Sequence, residues 1–198
     1  MTAGRSVRAL VAGVVLLLAG GGTALASAGT EAAAGRAATV DPVDDELSGT
    51  PGYCPTDEGV TVVVDFQELG GGIVVRCATG PVVPGFTGID ALQGTGFDPE
   101  GVRRYGLAFV CRIADRPTAD QELPVDGNPH YKEACVNTPP VSAFWSYWYA
   151  PDRGTWTYSQ ESALSRDALP GGFEGWSFSL NHSEGSAPPP GIPPRRPA

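Results

Sequence analysis

Short runs of β-branched and aromatic residues, bounded by glycine and proline, form the hydrophobic pattern of the middle of the chain. Residues 60–66 (VTVVVDF) follow Gly59 and predict a β-strand. Three glycines at 70–72 then turn the chain into a second run at 73–77, so the two runs predict a β-hairpin. Runs of the same character predict further strands at residues 105–113, 144–149, 155–158 and 175–180.

One segment, residues 87–93, has the features of a short helix. Thr87 can cap its first turn, and Asp90 lies three residues later, where its carboxylate can accept a hydrogen bond from a free backbone N–H. Gly94 and Gly96 are expected to end it. Residues 114–140 are polar and interrupted by proline, and we expect a long loop there. Five or six strands with one short helix indicate a small α+β or mostly β fold.

The two ends of the chain differ in composition from its middle. Residues 1–28 carry Arg5 and Arg8 ahead of an apolar run and small residues, the pattern of a cleaved signal peptide. That run is about half as long as the roughly 20 residues of a membrane span. We expect residues 29–52 to be a flexible acidic lead, and residues 183–198, with six prolines, to be a disordered tail that does not pack. The folded domain is then residues 53–182.

The overall charge excludes some classes of partner. The chain has 22 Asp and Glu against 13 Lys and Arg. Nucleic acids and anionic lipid surfaces require clustered basic side chains, so we expect neither as a partner. No later segment is long and apolar enough to span a membrane, so we expect no span in the mature chain.

The four cysteines indicate two disulfides. Cys54, Cys77, Cys111 and Cys135 are an even set in a chain with an export signal. Four cysteines allow three pairings, and we favour Cys54–Cys77 with Cys111–Cys135, because each closes a local loop of similar length. A zinc site of four thiolates is disfavoured, since no CxxC pair is present and the compartment is oxidising.

Catalytic and metal-binding motifs give only weak signals. No GxSxG, HExxH or Walker-type loop occurs. His130 and Cys135 could form a metal pair, and Asp65 with Glu68 could act as paired carboxylates, but in an acidic chain such spacings arise by coincidence. Asn181 begins a glycosylation sequon, but a motif this short is weak evidence for glycosylation. We therefore expect no enzyme activity, no metal and no cofactor.

An aromatic segment in the fourth predicted long strand is more informative. Strand alternation places Trp145, Tyr147 and Tyr149 on one face, and Phe144 and Trp148 on the other. Two interpretations stay open. Either all of these rings fill the core, or one set forms a stacking surface for a flat or ring-shaped ligand.

The order of these segments resembles a known family. The segments are the strand at 59–66, the helix GIDAL at 88–92, the strand at 106–113, WSYW at 145–148 and PGGFEGWSF at 170–178. Over residues 59–180 they resemble the transcobalamin-like C-terminal domain, the β domain of cobalamin carriers, in an exported bacterial single-domain form. The resemblance implies a β-grasp-like sheet around one short helix.

The resemblance also implies a non-enzymatic role. In such carriers the β domain closes over a corrinoid that is held against a separate helical barrel. The positions that match are Trp145, Tyr147, Trp148 and Trp176, which we expect to contact the ligand. This chain has no helical barrel, so binding of cobalamin implies a helical-barrel partner protein or an uptake transporter.

The sequence thus predicts a secreted, extracellular binding protein for a corrinoid-like ligand. The first alternative is a carbohydrate- or cell-wall-binding module, favoured by the aromatic residues, the acidity and the proline-rich tail, which would make the protein wall-associated. The second alternative is a secreted hydrolase that uses carboxylates such as Asp65 and Glu68.

Overall fold

Ten strands, one α-helix and one 3-10 turn at Gln67–Leu69 account for the regular structure in the part of the chain that the computed structural model describes, residues 49–183 and 185–198. The predicted signal peptide and residues 29–48 of the predicted lead lie outside the described residues. The elements are β1 Thr50–Pro51, β2 Val60–Asp65, β3 Ile73–Ala78, α1 Gly88–Gly94, β4 Pro99–Val102, β5 Gly106–Ile113, β6 Leu123–Val125, β7 Asn128–Tyr131, β8 Ala143–Ala150, β9 Thr157–Tyr158 and β10 Phe173–Leu180.

A mixed sheet with the strand order β1-β3-β2-β10-β8-β9 is the centre of the described chain. Strands β2 and β10 run parallel, and all other neighbours are antiparallel. The predicted hairpin of β2 and β3 is confirmed. So is the predicted α+β class: among the described residues there is a six-stranded main sheet, one short helix and two disulfides.

The register of the sheet separates its side chains into two faces. Trp176 pairs with Val64 on β2 and with Tyr147 on β8, so these three lie on one face, which also carries α1 and is called the helix face. Gly175 pairs with Val63 and Trp148 on the opposite face, called the tail face. The predicted alternation of the β8 aromatic residues between two faces is confirmed.

Helix α1 packs on the helix face, with Ile89, Ala91 and Leu92 buried. It begins with a capping box: the Thr87 hydroxyl accepts a hydrogen bond from the Asp90 N–H, and the Asp90 carboxylate accepts one from the Thr87 N–H at 2.8 Å. The predicted helix and its cap are therefore confirmed. No helix in the described residues is long and apolar enough to cross a membrane.

Two further hairpins extend beyond the main sheet. Strands β4 and β5 pair with each other, and so do β6 and β7. The expectation of an unstructured loop over residues 114–140 is wrong for the β6–β7 hairpin. Asp126-Gly127, with Gly127 at φ +79°, forms its turn, while Pro129 inside β7 weakens the strand pattern in the sequence.

Both predicted disulfides are present. Cys54 is bonded to Cys77 on β3, and Cys111 on β5 is bonded to Cys135. All four cysteines are buried. The second bond holds the segment after β7 against the β4–β5 hairpin, where the Arg103 N–H donates to the Cys135 carbonyl at 2.8 Å.

Both predicted boundaries of the folded domain differ from the structure. At the start, Thr50 and Pro51 of the predicted lead pair with Cys77 and Arg76 of β3. At the end, the tail that we expected not to pack lies on the tail face, with Pro190 and Pro194 buried. The physical reason is that β2 and β10 carry apolar side chains such as Val63 and Phe173 on this face, and covering them removes apolar surface from water.

Candidate functional site

An open cleft of about 480 Å³ lies beside strand β8. Strand β9 pairs with β8 only at Trp148 and Tyr149, so within the described chain no strand covers the outer edge of residues 143–146. The cleft is within the size range of small-molecule sites. Its walls are Leu107, Ala108, Phe109 and Val110 of β5, Thr138, Pro139 and Val141, Phe144, Trp145 and Tyr147 of β8, the segment Tyr158, Ser159, Gln160, Glu161, Ser162 and Ala163, and Trp176 and Gly185.

The mouth of this cleft exposes large apolar side chains. Among the described residues, Phe109 is 43% exposed, Val141 65% and Tyr158 37%, and all three line the cleft. Tyr105 is also exposed, and its ring centroid lies 5.5 Å from that of Phe109. Contiguous exposed apolar surface is uncommon on a monomeric protein and marks binding sites. These four residues are called the apolar rim.

Three of the four residues predicted to contact the ligand form the floor of the cleft. The rings of Tyr147 and Trp176 stack with centroids 5.0 Å apart. Trp145 packs edge-on against Phe66 and Phe178, and its indole N–H donates to the Arg116 carbonyl at 3.1 Å. All three predicted rings are at least nine-tenths buried, so they are part of the core and offer the cleft only a small part of their surface.

The fourth predicted residue, Trp148, lies on the other side of the sheet. It faces the tail face, its indole N–H donates to the Ser146 hydroxyl at 2.9 Å, and it does not line the cleft. Its contact with the cleft is indirect, since its ring packs edge-on against Tyr158 at 5.2 Å. The four predicted residues therefore do not form one continuous surface.

Sequence reasoning did not find the apolar rim. Phe109 lies in a strand that was recognised, but its exposure follows from the position of the β4–β5 hairpin outside the main sheet. Val141 lies just before β8 in the segment 138–141, which carries no motif. The one signal in the sequence was that β5 is apolar on both faces, which requires either a covering element or a ligand.

A buried charged network fixes the floor from below. Arg166 donates from Nη2 to the carboxylate of Glu174, and Tyr147 donates its hydroxyl proton to the same carboxylate. The Arg166 Nε–H donates to the Tyr147 oxygen at 3.1 Å, and the guanidinium lies 4.0 Å from the ring centroid of Tyr149. The phenol of Tyr147 is thus fully engaged, so Tyr147 offers a ligand only its ring.

Burial dominates the ionisation of this network. Complete desolvation raises the pKa of Glu174, although Arg166 and Tyr147 act in the opposite direction. Burial, together with the adjacent Glu174 carboxylate, raises the pKa of Tyr147 well above its usual range. Neither group is exposed to a ligand, so both have a structural role.

The predicted carboxylate pair does not form a free acid–base site. Asp65 accepts hydrogen bonds from the Gln67 side chain at 2.9 Å and from the Gly191 N–H of the tail at 2.7 Å. Glu68 is exposed in the turn after β2. Because Asp65 is 5% exposed and is used to hold the tail, its geometry supports a structural role.

The remaining candidates also have structural partners. His130 contacts Glu122 at 2.8 Å on the surface, and Cys135 is in a disulfide. Glu100 lies beside Cys111 and Cys135, but sulfurs that are bonded to each other offer no thiolate to a metal. The Asn181 amide donates to the Pro124 carbonyl and accepts from the Asp126 N–H, which holds the β6–β7 hairpin.

Comparison with known proteins adds no assignment. No protein-family model matches the chain, and neither the curated proteins nor the solved structures include a match to it.

Proposed function

We propose that this is a secreted, non-enzymatic binding protein that packs an apolar portion of a flat ligand into the cleft between β5 and β8. The observation that carries the proposal is the apolar rim around an open cleft of about 480 Å³. Secretion is supported by the signal-like segment 1–28 and by the two disulfides.

The cleft is built for binding an apolar surface. A ligand that covers Phe109, Val141 and Tyr158 removes their exposed area from water, which favours association by about 25 cal/mol for each Å² buried. The floor of Trp145, Tyr147 and Trp176 is held by ring packing and by the Arg166–Glu174 network, so little ordering is needed on binding. Glu161 is the one charged side chain among the described lining residues, whereas acid–base hydrolysis of a glycosidic bond uses two carboxyl groups.

We propose a corrinoid as the ligand. The resemblance to the transcobalamin-like domain supports this choice, as does the combination of aromatic residues lining the cleft with an apolar rim. A corrinoid is larger than the cleft, so this chain would cover only part of it. A helical-barrel protein or an uptake transporter would then enclose the remainder.

The proposal is tested by titrating the secreted protein with cobalamin while following tryptophan fluorescence and the visible corrinoid band. We expect a saturable change in both signals. Phe109→Ala should weaken binding about tenfold, because an aromatic ring then no longer packs on the ligand. A flat titration over the micromolar range would contradict cobalamin binding by this chain without a partner.

Two valines provide a matched pair for this experiment. Val141 lines the cleft, and Val83 is 55% exposed but does not line it. Val141→Ser should weaken binding, while Val83→Ser should leave the affinity unchanged. Equal effects of the two changes would place the binding surface outside the cleft.

A second candidate is a carbohydrate or cell-wall ligand, and one feature of the cleft favours it. The wall formed by Ser159, Gln160, Glu161 and Ser162 is polar and lies in the same cleft as Phe109 and Tyr158. Sugars require this combination, since their rings pack on aromatic faces while their hydroxyls need hydrogen-bond partners. Retention of the protein on insoluble peptidoglycan, lost in Gln160→Ala, would favour this candidate over a corrinoid.

A further inference from the structure

The tail face holds an extended proline-rich segment of the chain itself, residues 187–196. This segment forms neither helix nor strand, and it lies across the surface formed by Asp65, Asp152, Arg153, Trp156 and Gly175, which is called the tail groove.

The centre of the groove fits a proline. A Cβ on Gly175 would lie 2.8 Å from a ring carbon of Trp156 and 2.9 Å from Cγ of Pro190, so the absence of a side chain here lets both rings approach the sheet. Next to them, Ile192 and Trp156 pack against Val63, Ala150 and Phe173.

The groove also binds the backbone of the segment at three points. The Trp156 indole N–H donates to the Ile192 carbonyl at 2.7 Å, and the Arg153 N–H donates to the Pro194 carbonyl at 2.8 Å. The Asp65 carboxylate accepts from the Gly191 N–H at 2.7 Å. Aromatic side chains that pack on prolines while a donor binds a carbonyl are typical of polyproline recognition.

The end of the groove is acidic where the segment is basic. Arg196 donates from Nη2 to Asp57 at 2.6 Å and to Asp152 at 3.2 Å, and its N–H donates to Asp152 at 3.0 Å. The groove therefore binds the segment in one chain direction, with the prolines first and an arginine last.

The main hydrophobic cluster is complete without this segment. That cluster lies on the helix face and contains none of residues 187–198, while the tail contributes only Ile192 to the small cluster on the tail face. The segment thus contacts the domain as a bound peptide does, through backbone hydrogen bonds, a few side chains and one ion-pair site.

We propose that the tail groove is a recognition site for extended proline-rich polypeptide segments that end in arginine, and that the chain's own tail occupies it as an intramolecular ligand. A partner segment must displace this tail. Since the tail is tethered, its effective concentration is high, and a partner must compete with it. The tail groove is on the opposite face of the sheet from the cleft floor of Trp145, Tyr147 and Trp176, and the proposal does not depend on the corrinoid proposal.

The experiment releases the tail after the protein has folded. A recognition sequence for a specific protease is inserted between Ser186 and Ala187 in the full chain, which is cut once its disulfides have formed. A labelled synthetic peptide of residues 187–198 (APPPGIPPRRPA) is then titrated into the cut protein, and its fluorescence anisotropy is followed. We expect saturable binding, weakened at least tenfold by Trp156→Ala in the protein or by Arg196→Ala in the peptide.

Two controls separate recognition from simple charge attraction and from a structural role. Phe109→Ala, on the opposite face, should leave peptide binding unchanged, and a peptide of scrambled sequence should not bind. Equal binding of the scrambled peptide overturns the proposal. So does loss of the near-ultraviolet circular dichroism signal on cutting, since the tail is then part of the fold.

An uncut chain gives a second, independent measurement. The double variant Ile192→Ser/Arg196→Ala keeps the full length but weakens two anchors of the tail. It should bind the labelled peptide, whereas the uncut parent chain, with its own tail in place, should bind it at least tenfold more weakly. Equal affinities of the two chains would overturn the proposal.

Discussion

The phenol of Tyr147 donates a hydrogen bond to the carboxylate of Glu174, and this contact joins strands β8 and β10 beneath the ligand cleft. Glu174 has no exposed surface, and its second partner, Arg166, is 11% exposed. The stack of Tyr147 on Trp176 lies on the same side of the sheet. A buried ion pair therefore determines the position of the ring that forms the floor of the cleft.

Removal of Glu174 should strongly destabilise the protein. In Glu174→Leu the guanidinium of Arg166 and the hydroxyl of Tyr147 stay buried without their acceptor. We expect the free energy of unfolding to fall by about 3 kcal/mol. Urea denaturation, followed by tryptophan fluorescence, measures this change.

The double variant Glu174→Leu/Arg166→Met is the control. Replacing both partners of a buried ion pair with apolar residues is often nearly neutral, so the double variant should recover most of the lost stability. If it stays as unstable as Glu174→Leu, the loss comes from packing and not from an uncompensated charge. Glu100→Gln provides a second comparison, with an ion pair that is only partly buried: Arg112 is buried, but Glu100 is half exposed. We expect this change to lower the free energy of unfolding by less than about 1 kcal/mol.

Two glycines of helix α1 should respond in opposite ways to alanine. A Cβ on Gly88 would lie 2.2 Å from the Tyr147 hydroxyl oxygen, which the charged network holds in place. Gly88→Ala should therefore lower stability by about 1–3 kcal/mol through overpacking. At Gly94 the nearest atom is the Ala78 Cβ at 3.6 Å, so Gly94→Ala should be neutral or stabilise the helix by up to about 1 kcal/mol.

Thermal unfolding of both variants measures the difference. If Gly88→Ala is as stable as the parent chain, the helix can shift away from β8, and the close contact with Tyr147 does not constrain it.

The elements that could be predicted from sequence are those with strong local signals. Strands β2, β3, β8 and β10 are β-branched or aromatic runs bounded by glycine or proline, and α1 has a capping box. Strand β7 was not predicted because a proline interrupts it. Strand β1 was not predicted because two residues are too few to show the alternation of a strand. The packing of the tail was not predicted from its composition. Composition describes the segment alone and cannot show that one face of the sheet has apolar side chains that the segment can cover.

The candidate site depends on contacts between distant parts of the chain. The alternation in β8 correctly separated Trp145 from Trp148, but it could not tell which face borders a cleft. That depends on where β5 lies, since the position of the β4–β5 hairpin brings Phe109 to the same cleft as Val141 and Tyr158. Aromatic residues in sequence thus indicated a ligand surface, while the exposed rim became visible only in three dimensions.

Each disulfide should contribute substantially to stability. Cys54–Cys77 and Cys111–Cys135 close loops of 23 and 24 residues. Loop entropy predicts that replacing either pair by alanine lowers the free energy of unfolding by about 3 kcal/mol. Urea denaturation of the two paired variants checks this value, with a thiol titration of the unfolded parent chain as the control for full oxidation. A loss below about 1 kcal/mol for either pair would contradict the loop-entropy account of that bond.

Docking of the tail should depend on pH through Asp152. Its carboxylate accepts hydrogen bonds from the Arg196 N–H and guanidinium, and these, the backbone bond above all, hold the pKa of Asp152 below its usual range. A group whose pKa is lowered by folding stabilises the folded form above its ordinary pKa and loses this contribution as the pH falls through the lowered value. The contribution of Asp152 to tail docking should therefore be complete at neutral pH and be lost only well below about pH 4, the ordinary pKa of aspartate.

The fluorescence of Trp156 reports this transition, because its indole N–H is bonded to the Ile192 carbonyl of the tail. Between pH 5 and pH 2 we expect a change in emission that is reversible and that coincides with increased proteolysis of residues 187–198.

In Asp152→Asn the charge is absent at every pH, so the acid transition should shrink and the tail should be more easily cleaved at pH 7. Glu68→Gln, an exposed acid without a contact to the tail, should behave as the parent chain. An unchanged acid transition in Asp152→Asn would contradict the prediction that Asp152 controls the docking of the tail.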